Sequence, residues 1–331
     1  MNVVQVSDRR IRQPNAIRVG LLTDAACDLP ARFLTEQHVR IMPIHLHFGD
    51  RVLPDARKAS TSLGFYQSGL ADQHVAVETT PLSVPEMVDF FRASAAEYGR
   101  AIFIPIGQTR SQIYANALRA AFAVGRLSGA TAHPEHQDNA SDPFSIHVID
   151  SQTLFTGEGI LIYAAARARQ QGMPYMQLVQ YLQHLTRDVH SFLIPHDLYY
   201  LYVRAREKGD ASIGLGRYLA DKARDVKPII AVRLGETEVV SEARGFEEAL
   251  RLLLFIAAAK IKEGLSVPAV AISYAGDPSV IEALELYRDF VAMAQAHGVE
   301  ILTSIMSPTG AVYVGPRALA LSFISGYGRQ I

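Results

Sequence analysis

Apolar residues in this chain come in short, nearly unbroken runs, and each run is followed by a stretch with helical spacing. Residues 19–22, 101–106 and 146–149 carry such runs, the pattern of strands covered on both faces. Residues 29–38, the stretch after Ser83, the stretch from about 111, and 157–170 read as helices, with 39–48 extended. Ser83 stands three positions before Glu86, the spacing of a capping box. Buried strands alternating with helices predict a parallel, doubly wound sheet in three α/β/α layers.

Beyond residue 170 the rhythm changes. Helical stretches at 176–185 and 198–206 lead into extended runs at 228–232 and 238–243, with Gly235-Glu236 reading as the hairpin turn between them. A helix at 246–262, a strand at 269–273, a helix at 279–297 and a strand at 299–305 follow. This half predicts a two-layer α/β unit with a mixed sheet. The expected division is a polar tail at 1–16, an N-terminal domain at 17–165 and a C-terminal domain at 166–327. Residues 129–141, with Pro134, read as an exposed loop.

Composition narrows the function. A chain of 331 residues is long for one core and suits two domains. A formal charge of −1 offers no concentrated basic face for nucleic acid. Cys27 is the single cysteine, so no internal disulfide or thiolate cluster can form, which fits a cytoplasmic location. The first 17 residues carry Arg9, Arg10 and Arg12 without the apolar core of a secretory leader. Runs such as 252–259 are too short to span a bilayer, so no membrane insertion is expected.

Two loops can hold a carboxylate, which needs hydroxyl donors and free backbone N–H groups. One is Glu78-Thr79-Thr80-Pro81-Leu82-Ser83; the other is Gly107-Gln108-Thr109-Arg110-Ser111-Gln112. Both are expected at the C-terminal side of parallel strands, where open α/β sheets bind ligands. Asp24 and Asp28 read as helix caps rather than an acid–base pair. Gly214-Leu215-Gly216 lacks the third glycine of a dinucleotide fingerprint. His45 and His47 share a strand face without an acidic partner, and His133, His136 and Asp138 read as solvated loop residues. Arg244 reads as a charge at a helix start. No G-x-S-x-G elbow is present.

Three separated segments carry a resemblance: Thr23-Asp24-Ala25-Ala26-Cys27-Asp28-Leu29-Pro30, Val148-Ile149-Asp150-Ser151, and Ser307-Pro308-Thr309-Gly310 through Gly315-Pro316. In that order and spacing the chain resembles the DegV family of bacterial fatty-acid-binding proteins, from about Arg18 to Phe323. The resemblance implies the two-domain EDD fold and a lipid carrier rather than an enzyme. It needs no cofactor beyond the bound fatty acid, and a separate fatty-acid kinase is the implied partner. Thr79 matches the family threonine that bonds the carboxylate, and Ser111 matches a second donor, with the N–H of Gln112 beside it. Tyr313 stands where the family has a carboxylate-binding histidine. Arg317 stands at a family glycine, where it would restore the missing positive charge. The alternative is an enzyme or binding protein for a small polar or phosphorylated ligand on the same fold, which is related to the substrate domains of dihydroxyacetone kinases. An inward-facing Tyr313 and Arg317 around a short polar pocket would favour that alternative.

Overall fold

A computed structural model describes residues 19–72, 75, 77–127, 144–207 and 221–326. The expected tail at 1–16, the 129–141 loop with His133, His136 and Asp138, and Gly214-Leu215-Gly216 lie outside the described residues.

The apolar runs of the first half form the parallel sheet. Its strands are β1 (Val19–Asp24), β2 (Val39–Met42), β6 (Arg100–Ile104) and β7 (Ser145–Val148), in the order β2-β1-β6-β7. The order reverses between β1 and β6, so their carboxyl ends flank a crevice. Helices α1 (Ala31–Glu36), α3 (Val84–Ala95) and α4 (Ile113–Leu127) belong to this half. The capping box forms: the Glu86 carboxylate accepts from the Ser83 N–H at 2.8 Å and from its hydroxyl at 2.6 Å.

Pro43, which has no N–H for a ladder, ends β2 and splits the extended run at 39–48. Beyond it β3 (Ile44–Phe48) leaves the parallel sheet and pairs antiparallel with β4 (Arg51–Asp55) and β5 (Glu78–Thr80). Helix α2 (Ala59–Gln67) follows β4. Thr79 thus lies in an antiparallel strand opposite Leu46, not in a loop after a parallel strand as its sequence context suggested.

The mixed sheet has the order β10-β9-β8-β13-β11-β12. Its strands are β8 (Val189–Ile194), β9 (Val226–Arg233), β10 (Glu236–Arg244), β11 (Ala269–Tyr274), β12 (Glu300–Ile305) and β13 (Leu319–Ile324). Only β11 and β12 run parallel. The β9–β10 turn is Leu234-Gly235, with φ of 49° and 84°, one residue earlier than the sequence suggested. A two-residue turn of the I′ kind asks for positive φ at both positions, which only a glycine accepts freely.

Helices α6 (Tyr175–Leu185), α7 (Leu198–Glu207) and α8 (Phe246–Glu263) complete the main framework of this half. The expected helix at 279–297 is two helices, α9 (Ser279–Glu282) and α10 (Glu285–Ala296), because Leu284 turns extended at ψ 135°. Arg244 closes β10 instead of starting a helix, and α8 begins after Gly245.

Helix α5 (Thr156–Gln170) is buried on almost every side. A helix apolar all round has no solvent face to present. One side meets β1 and β6, and the other meets β8, β11 and β13, so both large sheets rest on the same helix. Its core runs continuously from Leu21 and Ile102 through Ile160 and Leu161 to Ala271 and Ile324. Gly159 permits this approach, since a Cβ there would lie 2.4 Å from the Asp28 carbonyl oxygen.

Candidate functional site

The three segments that stand out in the sequence meet in space. Asp24 ends β1, and its carboxylate accepts from the N–H groups of Ala26 at 2.8 Å and Ile106 at 2.9 Å. It thereby ties together the two strands flanking the crevice. Asp28 accepts from the Ser307 N–H at 2.9 Å and the Ser273 hydroxyl at 2.7 Å, and Arg57 lies 3.3 Å away. The Asp28 N–H donates to the Phe155 carbonyl at 3.2 Å. Neither aspartate caps a helix: Pro30 precedes α1, and that helix has no side-chain cap. Their role is to join segments distant in sequence, a correction to the capping assignment. The physical reason is full burial, which obliges each carboxylate to collect several donors.

Burial also governs titration here. Asp24 is pushed up to about 6, mainly by loss of solvent and against the pull of its two N–H donors. Glu158 on α5 is raised well above the ordinary carboxylate range by the same cause. Thr23 donates its one hydrogen to the Ile104 carbonyl at 2.8 Å, yet it is also in contact with Glu158. The hydrogen in that second contact therefore comes from Glu158, whose carboxyl is neutral. Burial raises the Cys27 thiol as well, so it has no thiolate character as a nucleophile.

The same junction fixes the last helix, α11 (Pro308–Val314). Ser307 caps it through Gly310 N–H at 3.0 Å. Asp55, at the end of β4, accepts from both the backbone N–H and the hydroxyl of Thr309, at 3.0 and 2.8 Å. Leu46, the cross-strand partner of Thr79, packs with Ala311 and Val312 of α11. This packing carries Thr79 to Tyr313, and their hydroxyls hydrogen-bond. Two of the residues singled out from the sequence are thus in direct contact.

Ser111 and Gln112 lie just ahead of α4, beyond the carboxyl end of β6. The Ser111 oxygen accepts from the Ile113 N–H at 3.3 Å, and among the described residues its own O–H has no acceptor. Asn116 of α4 donates to the Leu82 carbonyl at 3.4 Å, so the start of α4 sits against the segment that follows Thr79. Gly107 has a structural reason to lack a side chain, since a Cβ would lie 3.1 Å from the Thr153 backbone. Arg317 is exposed, with φ of 62°, and its charge is felt by His196 and Tyr274. Tyr313 is 39% exposed. His45 and His47 share a face of β3 opposite Thr80 and Glu78.

Sequence reasoning passed over two arginines. Arg57 bridges Asp28 and the Ile305 carbonyl, the latter at 2.9 Å, and nothing in its local sequence marks a buried arginine. Arg110 adjoins Ser111, and its guanidinium donates to the Gly235 carbonyl at 2.6 Å. Thr109 donates to the same carbonyl at 3.0 Å, so the tip of the β9–β10 hairpin is fastened to the loop before α4. A positive charge next to a candidate donor was the available signal.

An apolar cluster joins residues that adjoin these segments to both halves of the fold. It includes Leu82, Ile113 and Phe155 from the first half of the chain, and Leu193, Ile230 and Val314 from the second.

Comparison with known proteins matches residues 18–326 to a family model described as an uncharacterised protein of the DegV family. A DegV domain-containing protein of Xanthomonas axonopodis pv. citri is 37% identical over 312 residues, covering 93% of this chain and 97% of that one. Among solved structures, a stearic-acid-binding protein from Eubacterium ventriosum superimposes with a TM-score of 0.73 at 22% identity, covering 94% of this chain and 99% of that one. DegV from Bacillus subtilis, described as a fatty-acid-binding protein, gives a TM-score of 0.73 at 17% identity, covering 94% and 100%. At such identities the likeness is one of fold, and it extends to both large sheets.

Proposed function

Because this chain belongs to the DegV family, we propose that it is a carrier for a long-chain fatty acid, with no catalytic chemistry of its own. The carboxylate is held by the Thr79 and Tyr313 hydroxyls, by Ser111 and by the N–H of Gln112, and Arg317 adds positive charge nearby. The observation that carries this reading is the hydrogen bond between Thr79 and Tyr313, which stands beside the apolar group of Leu46, Ala311 and Val312. Burying an acyl chain releases about 0.8 kcal/mol per methylene, so the tail supplies most of the affinity and the polar end sets its direction.

Arg317 is exposed and its electrostatic neighbours are His196 and Tyr274, which gives no support to a closed polar pocket for a small phosphorylated ligand. Structurally similar proteins are described as binding fatty acids, which supports the carrier reading. We place the protein in the cytoplasm, presenting its acid to a separate kinase that phosphorylates the carboxylate. No described helix is long and apolar enough to cross a membrane.

The test is native mass spectrometry of freshly purified protein, then extraction and lipid analysis. One fatty acid per chain is the expected result. Protein that carries none, and takes up none when oleate is added, overturns the reading.

A further inference from the structure

Just ahead of α4 lies a depression of about 340 Å³ whose wall includes Gln108, Arg110, Ser111, Gln112 and Tyr114. Arg110 is held there in an unusual way. One terminal nitrogen donates to the Gly235 carbonyl, while its Nε is buried without a hydrogen-bond partner. Among the described residues it makes no ion pair, although Glu236 is close enough to influence it. A guanidinium stays charged throughout the accessible pH range, and here its one direct partner is a neutral carbonyl, with Glu236 acting on it only from a distance. The other carboxylate near this wall, Asp150, is engaged by backbone N–H groups and not by Arg110. Its Oδ1 accepts from the N–H groups of Gln108 at 3.0 Å and Gln152 at 3.1 Å.

The depression is therefore lined by three consecutive residues with donors to offer: the second terminal nitrogen of Arg110, the Ser111 hydroxyl and the Gln112 N–H. An anionic oxygen pair placed there would accept from the second terminal nitrogen of Arg110, the Ser111 hydroxyl and the Gln112 N–H. Resting on the fatty-acid reading above, we propose that Arg110 is the residue that reads the charge of the head group. It favours an ionised carboxylate over a neutral head of the same size, and it supplies the cation that Tyr313 does not. The β9–β10 hairpin is its positioning element, since Gly235 fixes the guanidinium and a Cβ at that glycine would lie 2.8 Å from the Thr109 hydroxyl.

The experiment compares oleate with oleyl alcohol, which shares the tail and lacks the charge, on the wild-type chain, Arg110→Gln and Arg110→Lys. The wild type is expected to prefer oleate. Arg110→Gln is expected to weaken oleate binding by about tenfold to a hundredfold, with oleyl alcohol unchanged. Arg110→Lys should keep part of the preference. If Arg110→Gln binds oleate as the wild type does, Arg110 does not read the charge and the carrier reading stands. Equal loss of both ligands with the fold intact would show a merely structural role and also overturn the proposal. A wild type that binds neither ligand overturns the fatty-acid reading itself.

Discussion

Thr79 and Tyr313 are 234 positions apart and share a hydrogen bond between their hydroxyls. Neither reaches the other through its own element. Thr79 is carried by the edge strand β5, and Tyr313 by α11, whose place is set by the grip of Asp55 on Thr309. The head-group donors proposed above are therefore held by packing of elements from opposite ends of the chain.

Replacing both Thr79 and Ser111 by alanine should release the bound acid and leave the melting temperature nearly unchanged, since both side chains are only half-buried. Each lost charge-assisted hydrogen bond is expected to lower affinity by about tenfold or more. Full retention of lipid by the double variant in native mass spectra would remove both residues from the site.

Tyr313→His would make binding respond to pH. An imidazole with its ordinary value near 6.5 is neutral at about pH 8 and cationic at about pH 6. Oleate should bind this variant more tightly as pH falls across that interval, relative to the wild type at each pH. Titration calorimetry at the two ends gives the comparison, and parallel curves for the two proteins would separate position 313 from the head group.

Gly159→Ala should destabilise the fold by about 2 kcal/mol or more, because the new methyl group meets backbone and not a flexible side chain. It would fall 2.4 Å from the Asp28 oxygen, between α5 and the segment after β1. The urea midpoint measures this, and an unshifted midpoint would mean that the two backbones separate freely.

Stability should decline as pH rises from about 4 through neutrality. Asp24 and Glu158 have folded-state values above those of the unfolded chain, so between the two values the folded state holds protons that the unfolded state has released. Stability from such groups is complete below the unfolded value and is lost as pH rises through the folded one. Asp24 contributes roughly 3 kcal/mol of this, spent by a little above pH 6, and Glu158 extends the slope beyond. Glu158→Gln keeps a donor for Thr23 and carries no charge to bury. It should flatten the upper part of the slope and be the more stable protein at pH 8, as urea unfolding between pH 5 and 9 will show.

Much of the fold is written in apolar runs. Residues 101–104 and 269–273 are strands because almost every side chain in them is apolar and both faces are covered. The small antiparallel sheet escapes this reading for the complementary reason. Strand β5 is Glu-Thr-Thr, and in β4 Pro54 cuts off the apolar pair Val52-Leu53, so neither has a sustained apolar run; they are strands because β3 lies between them. Strand β13 is a short apolar stretch, and nothing local says that it inserts between β8 and β11. At the site, Ser83 announces its cap through Glu86, whereas Thr79 looks like any turn residue and was singled out only through resemblance. Asp24 and Asp28 misled because their partners, Ile106 and Ser307, are distant in sequence.

The position of α5 between the two large sheets bears on how the protein is made. When residues 19–170 have left the ribosome, the parallel sheet and α5 can come together, but the far side of that helix still faces water. Its cover includes β11 and β13, and β13, the last strand of the described chain, sits in the middle of its sheet between β8 and β11. The mixed sheet cannot close until that strand emerges. The first half therefore finishes folding only after Ile324 has been made, and until then the nascent chain carries an open greasy seam along α5 that chaperones are suited to shield.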